Sequence, residues 1–179
     1  MAKPLVVNAV ELLRRPGSTK DIDVVVADED FEFNDTRIDD TPVHVQLRLE
    51  ALSDGIAVTG VATAQWHGEC RRCLAPVHES ADIAIDELYQ ITVTDPDAFP
   101  IEADQLMLLP MVRENILVAV PLFLLCRPDC KGLCPQCGAD VNDGECGCET
   151  PITDDRWAAL EDLKLRLSDE PDGVNDSPD

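Results

Sequence analysis

The sequence predicts an α+β fold: an antiparallel, curved or barrel-like sheet with a short helix, a C-terminal cysteine-rich zinc module and a terminal helix. Three observations carry that prediction. Residues 43–52 alternate apolar and polar side chains with period two, break at Ser53-Asp54-Gly55 and resume over residues 56–67, which is the pattern of a β-hairpin. Residues 111–119 are apolar except for one polar patch, Arg113, Glu114 and Asn115, between Pro110 and Pro121. Most of the cysteines then fall between Cys126 and Cys148.

Taken in order, residues 4–14 mix strand-like (Leu5, Val6, Val7) and helix-like (Val10, Leu12, Leu13) spacing and predict a short element ending at Arg15-Pro16-Gly17. The β-branched run at 22–27 predicts a strand, and the acidic stretch 28–40 a loop carrying a short turn. The hairpin follows, with His44 on its polar phase. Gly55 is expected at its turn for its freedom to take positive φ, and Ile56, Val58 and Val61 mark the returning strand. Residues 77–94 alternate again through Val77, Ile83, Ile85, Leu88, Ile91 and Val93, closed by a turn at Asp95-Pro96-Asp97. Pro110 is tolerated in the first turn of the helix, and Pro121 stops it. Past Cys148, Thr153 or Asp154 can cap a helix with Trp157, Leu160, Leu163 and Leu167 on one face. The predicted organisation is a sheet domain over 1–125, a cysteine-rich module with its helix over 126–167, and a disordered acidic tail over 168–179.

The formal charge of −22 opposes nonspecific binding to nucleic acid and suits a basic protein partner. The first residues lack an export signal, and no run reaches membrane-spanning length, so a cytoplasmic protein without a membrane role is expected. In a reducing compartment eight cysteines are read as metal-holding thiolates rather than disulfides. Cys134-Pro135-Gln136-Cys137-Gly138 has the form of a zinc knuckle, because Pro fixes one torsion and Gly lets both sulfurs face one point. Cys70-Arg71-Arg72-Cys73 is a second C-x-x-C.

The cysteines suffice for two sites of four thiolates: Cys134, Cys137, Cys146 and Cys148 at one ion, and Cys70, Cys73, Cys126 and Cys130 at the other. The tight Cys146-x-Cys148 spacing keeps a single site open as an alternative, so one or two zinc ions are expected. An all-cysteine tetrahedral site leaves no position for substrate and is structural. Arg71, Arg72, Arg127 and Lys131 lie beside or between cysteines, where they can offset thiolate charge or meet RNA. A redox dithiol at Cys70 and Cys73 is a competing reading, and His67 and His78 are secondary ligand candidates. No catalytic triad, phosphate loop or small-molecule site is discernible, so an enzyme is not expected.

The chain resembles the YceD family, the large ribosomal RNA subunit accumulation proteins. The resemblance rests on Cys70-Arg71-Arg72-Cys73-Leu74 after a hairpin, on Arg113-Glu114-Asn115-Ile116-Leu117-Val118-Ala119-Val120-Pro121-Leu122, on the string from Cys126 to Gly138, and on Asp155-Arg156-Trp157-Ala158-Ala159-Leu160. The extended cysteine cluster is similar to that of Gram-positive and actinobacterial members; some other members keep the first C-x-x-C and a cysteine near the position of Cys130 but lack the later ones. The resemblance implies a role in 23S ribosomal RNA accumulation or processing and in large-subunit biogenesis. The expected partners are a pre-50S particle or a 23S precursor, together with a basic large-subunit ribosomal protein. An acidic holdase for a basic zinc-ribbon ribosomal protein and a thiol redox switch are the alternatives.

Overall fold

A computed structural model describes residues 5–148 and Leu160. The chain divides into two compact units, one running through Leu133 and the other starting at Cys134. The expected terminal helix and acidic tail lie outside the described residues, Leu160 apart.

The first unit is built on the expected hairpin. Strand β3 (Val43–Ala51) buries every second residue and pairs antiparallel with β4 (Gly55–Glu69). Gly55 is needed for space rather than for positive φ: a β-carbon there would stand 2.2 Å from the Tyr89 carbonyl oxygen. On β4 the buried phase runs through Ile56, Val58, Ala62, Ala64 and Trp66. Val61, expected with them, is only partly buried on the other phase, because small alanines are the residues that fit beneath the sheet.

Strand β2 (Thr19–Val26) flanks β3. On the other side β5 (Pro76–Gln90) pairs with β4 along its whole length, and β6 (Phe99–Pro100) adds parallel to β5. The sheet order is therefore β2-β3-β4-β5-β6, open rather than closed into a barrel. Ile91 and Val93, expected in this strand, lie beyond its end and are exposed. Chain direction changes there because the buried Gln90 side chain accepts hydrogen bonds from Thr94 N (2.9 Å) and Asp95 N (3.2 Å) and so closes the loop.

The amino-terminal segment forms β1 (Val6–Asn8) and the short α1 (Val10–Leu13). The acidic stretch holds one helical turn, α2 (Asp28–Phe31). A small strand β7 (Gln105–Met107) pairs with β1 and leads into α3 (Leu108–Ala119). Leu108, Met111, Val112 and Ile116 of α3 are buried at helical spacing. The polar patch does not simply face water: Arg113 Nε donates to Phe31 O (2.9 Å) and Asn115 Nδ2 to Glu87 Oε1 (2.8 Å), tying α3 to α2 and to β5. The Tyr89 hydroxyl donates to Met107 O (2.9 Å), and its ring stacks on Phe99. This body carries its own apolar core. Among the described residues no helix is long and apolar enough to cross a membrane.

Candidate metal centres

The eight cysteines gather into two groups of four, in which the sulfurs of each lie within 4.8 Å of one another: Cys70, Cys73, Cys126 and Cys130, and Cys134, Cys137, Cys146 and Cys148. No disulfide joins any of them. The structure thus brings the cysteines together in the two sets of the two-site reading, and Cys146 and Cys148 both contribute to the second. In the first group the Cys70 and Cys130 sulfurs are 3.8 Å apart and those of Cys73 and Cys126 3.6 Å. A disulfide would require about 2 Å. A tetrahedron of sulfurs around an ion at Zn–S of about 2.3 Å has an edge of about 3.8 Å, so these residues fit a metal.

The first group is assembled from two remote pieces of the first unit. β4 ends at Glu69, and Cys70 N bonds Ala75 O (2.8 Å) while Leu74 N returns to Cys70 O (2.8 Å), closing a tight loop between β4 and β5. Leu74 takes a left-handed conformation, φ 61°. The segment after α3 is then laid against this loop: Cys70 bridges Leu124, and Arg71 N bonds Leu124 O (3.0 Å). Arg72 holds the far side. Its guanidinium donates to Cys130 O (2.7 Å) and Pro128 O (3.3 Å), and its carbonyl accepts from Leu133 N (3.0 Å). Gly132 makes that approach feasible, with φ +81° and room for a β-carbon only 2.9 Å from Arg72 O.

The second group repeats the loop chemistry. Cys134 N bonds Ala139 O (2.8 Å), Gly138 N bonds Cys134 O (2.9 Å), and Gly138 is left-handed at φ 73°. The aligned amides act on the sulfurs. Cys70 is drawn down to about 6, first by the N–H of Cys126 and then by those of Cys73 and Arg72. Cys134 is drawn down to about 6 by the N–H groups of Cys137 and Gln136. Cys148 is instead pushed up to about 12 by the crowding sulfurs of Cys137 and Cys146. Four thiolates cannot coexist at these distances without a cation, and a divalent ion would let all of them ionise.

The four basic residues have distinct placements. Arg72 is committed to backbone carbonyls, and Arg127 approaches Asp129 (3.5 Å). The Arg71 guanidinium lies 5.5 Å over the ring of Phe123, which is exposed together with Leu122 and Leu74. Lys131 also makes an interaction. The backbone role of Arg72 and the stacking role of Phe123 escaped sequence reading, since neither has a spacing signal. His67 pairs with Asp39 and lies against the His78 ring, and neither histidine is in a sulfur group. His44 faces Asp23 across the sheet (2.7 Å).

The fold and site define an acidic α+β protein whose sheet body carries one all-cysteine cage and whose C-terminal unit carries another. The family model described as "Large ribosomal RNA subunit accumulation protein YceD" matches residues 58–164, and the chain belongs to that family. It is 33% identical over 172 residues to an uncharacterized protein of Mycobacterium tuberculosis, covering 91% of this chain and 83% of the relative. YlbN of Bacillus subtilis is 29% identical over 154 residues, 80% of this chain and 89% of that one. The chloroplastic "Large ribosomal RNA subunit accumulation protein YCED homolog 1" of Arabidopsis thaliana shares 26% over 69 residues, 38% of this chain and 22% of its own length. No solved structure matches.

Proposed function

We propose that this protein is a non-catalytic, zinc-stabilised cytoplasmic factor for 23S ribosomal RNA accumulation and large-subunit biogenesis. Its partners in this reading are a pre-50S particle or 23S precursor and a basic large-subunit ribosomal protein. The observation that carries it is membership in a family described by large ribosomal RNA accumulation, in a chain whose eight cysteines gather into two groups of four. Two zinc ions would be held by the eight cysteines, four to each. The functional division is a sheet body over 1–125, a metal-bearing module over 126–167 and an acidic tail over 168–179, with the first ion joining Cys70 and Cys73 to Cys126 and Cys130.

The ions would supply rigidity and no turnover, because four thiolates saturate a tetrahedral site. Arg71 with Phe123 offers a cation and an aromatic face to unpaired RNA, while the acidic surface repels phosphate elsewhere and favours a basic protein. Depletion of the protein, followed by gradient profiles and 23S precursor analysis, tests the reading. Expected is a shortage of mature large subunits with 23S precursor in the lagging particles; unchanged profiles would overturn it. An acidic holdase is favoured instead if purified protein forms a salt-sensitive one-to-one complex with a basic zinc-ribbon ribosomal protein and never meets particles. A redox switch requires reversible disulfides and zinc release under mild oxidant.

A further inference from the structure

β2 ends the five-stranded sheet. It pairs along its length with β3, and no strand among the described residues pairs with its other edge. Exposed edges of this length are normally blunted by proline, a bulge or an inward-pointing charge. This edge has no proline and its register with β3 is unbroken; its one charge on the core phase is Lys20, at the start of the strand opposite Leu49, and from Asp21 to Val26 nothing blunts it. Ile22, Val24 and Val26 pair with Leu47, Val45 and Val43, so they sit on the core side of the sheet. Yet Val24 remains 37% exposed. The reason is a cleft of about 570 Å³ beside them, whose opposite wall is Leu5, Val6 and Val7 at β1. The seam between β1 and β2 is therefore lined by apolar residues, with Val24 partly exposed and Leu5, Val7 and Val26 buried at its base.

The outer face of the same strand is acidic. Asp21 and Asp23 point outward with side chains 73% and 67% exposed, facing Arg48 and His44 of β3; Lys20 is exposed beside Asp21, Val25 completes the outer phase at 68% exposed, and Asp30 stands in the wall of the cleft. An added strand would have side chains of period two: alternate residues enter the apolar seam, and the others lie beside the aspartates. A segment alternating apolar and basic residues suits both faces, with an apolar residue also accepted beside Val25. Phosphate would be repelled, and a second copy would set its own aspartates against these.

We propose that the outer edge of β2 is a docking strand for an extended basic segment of a protein partner, whose apolar side chains fill the seam beside β1. This rests on the reading of the chain as a factor with a basic ribosomal partner.

The test uses the full metal-loaded chain and, as probe, an octapeptide alternating valine and lysine, with a valine–glutamate octapeptide and an oligouridylate as controls. Expected are salt-sensitive binding of the lysine peptide alone and slowed hydrogen exchange at those amides of residues 19–26 that point away from β3. Val24→Lys should weaken binding at least tenfold, and Asp21→Asn with Asp23→Asn several-fold, both with unchanged melting temperature. Equal binding to Val24→Lys, equal binding of either control, no added protection of the β2 amides that point away from β3, or those outward amides already protected without peptide would each overturn the proposal. Retention of precursor large-subunit particles is measured separately. A chain that holds the peptide through β2 but no particles keeps the docking strand and removes the ribosomal reading. Particles held equally well by Val24→Lys overturn the docking strand and leave that reading standing.

Discussion

The two cysteine groups use the same backbone loop and rest on different supports. Each opens with a C-x-x-C whose first amide bonds the carbonyl five residues on and whose first carbonyl accepts the amide four residues on. In the first group Cys70, Cys73 and Cys130 are packed into the main apolar core, whereas in the second only Cys134 is buried and the described residues around it are half-buried or exposed. The sheet body could hold its form by apolar burial alone. The stretch from Cys134 to Cys148 has little besides its sulfurs to hold it. One loop geometry thus serves a cage that a core has already shaped and a cage that must shape its own surroundings.

Removing the metal should separate them most sharply. With a strong chelator residues 134–148 are expected to lose slowed exchange altogether, on the scale of about 10 kcal/mol seen for small zinc modules, while β3, β4 and β5 keep theirs. Simultaneous collapse of the sheet would break the contrast. Next in size, Cys137→Ser should reproduce that local loss with the first ion retained, and Cys73→Ser should release one ion while leaving the second; metal content by elemental analysis reads both directly.

Gly132→Ala should follow, costing about 1–3 kcal/mol through its left-handed backbone and its crowding of Arg72 O, visible as a lower melting temperature and a weaker first site. The left-handed loop positions sharpen the comparison further. Leu74→Gly should be neutral or stabilise by about 1 kcal/mol, and Gly138→Ala should destabilise the second loop by a similar amount, because the same conformation suits glycine and strains leucine.

The smallest effect concerns protons. In the metal-free chain the first group stays on the folded sheet body, and Cys70 there ionises at about 6, below the ordinary thiol value of 9.0. Its contribution is therefore present above pH 9 and lost as pH falls through about 6. Cys126, pushed up to about 12 first by desolvation and then by the neighbouring sulfurs, contributes below pH 9 and loses it as pH rises toward 12. Stability from these thiols should peak near pH 9, and Cys70→Ser should flatten the limb between pH 6 and 9 in denaturant titrations.

Much of this was legible beforehand because it rests on short-range pattern. Period two gave β3, β4 and the inner part of β5, and the prolines bounded α3. The two knuckles were readable as C-x-x-C, since neighbouring sulfurs need a tight turn. What stayed hidden depends on approach between distant segments. Gly55 reads as a turn glycine, yet the neighbouring β5 carbonyl dictates it. Val61 looks like core until β4 is set in register and Ala62 takes the inner place. Arg72 reads as a counter-charge, but its carbonyl and guanidinium both grip the segment from Pro128 to Leu133. No periodicity encodes such a contact, because its two halves lie far apart in the chain.

That separation has a consequence for the order of events as the chain matures. Cys70 and Cys130 are 60 positions apart, so their sulfurs meet only after the hairpins have zipped and α3 has docked. The second cage closes a short local loop and can seize an ion from an otherwise unstructured polypeptide. If the proposed ions are bound, loading of the first would be a late event that certifies a finished body, and stopped-flow uptake should resolve a fast phase followed by one that keeps pace with folding.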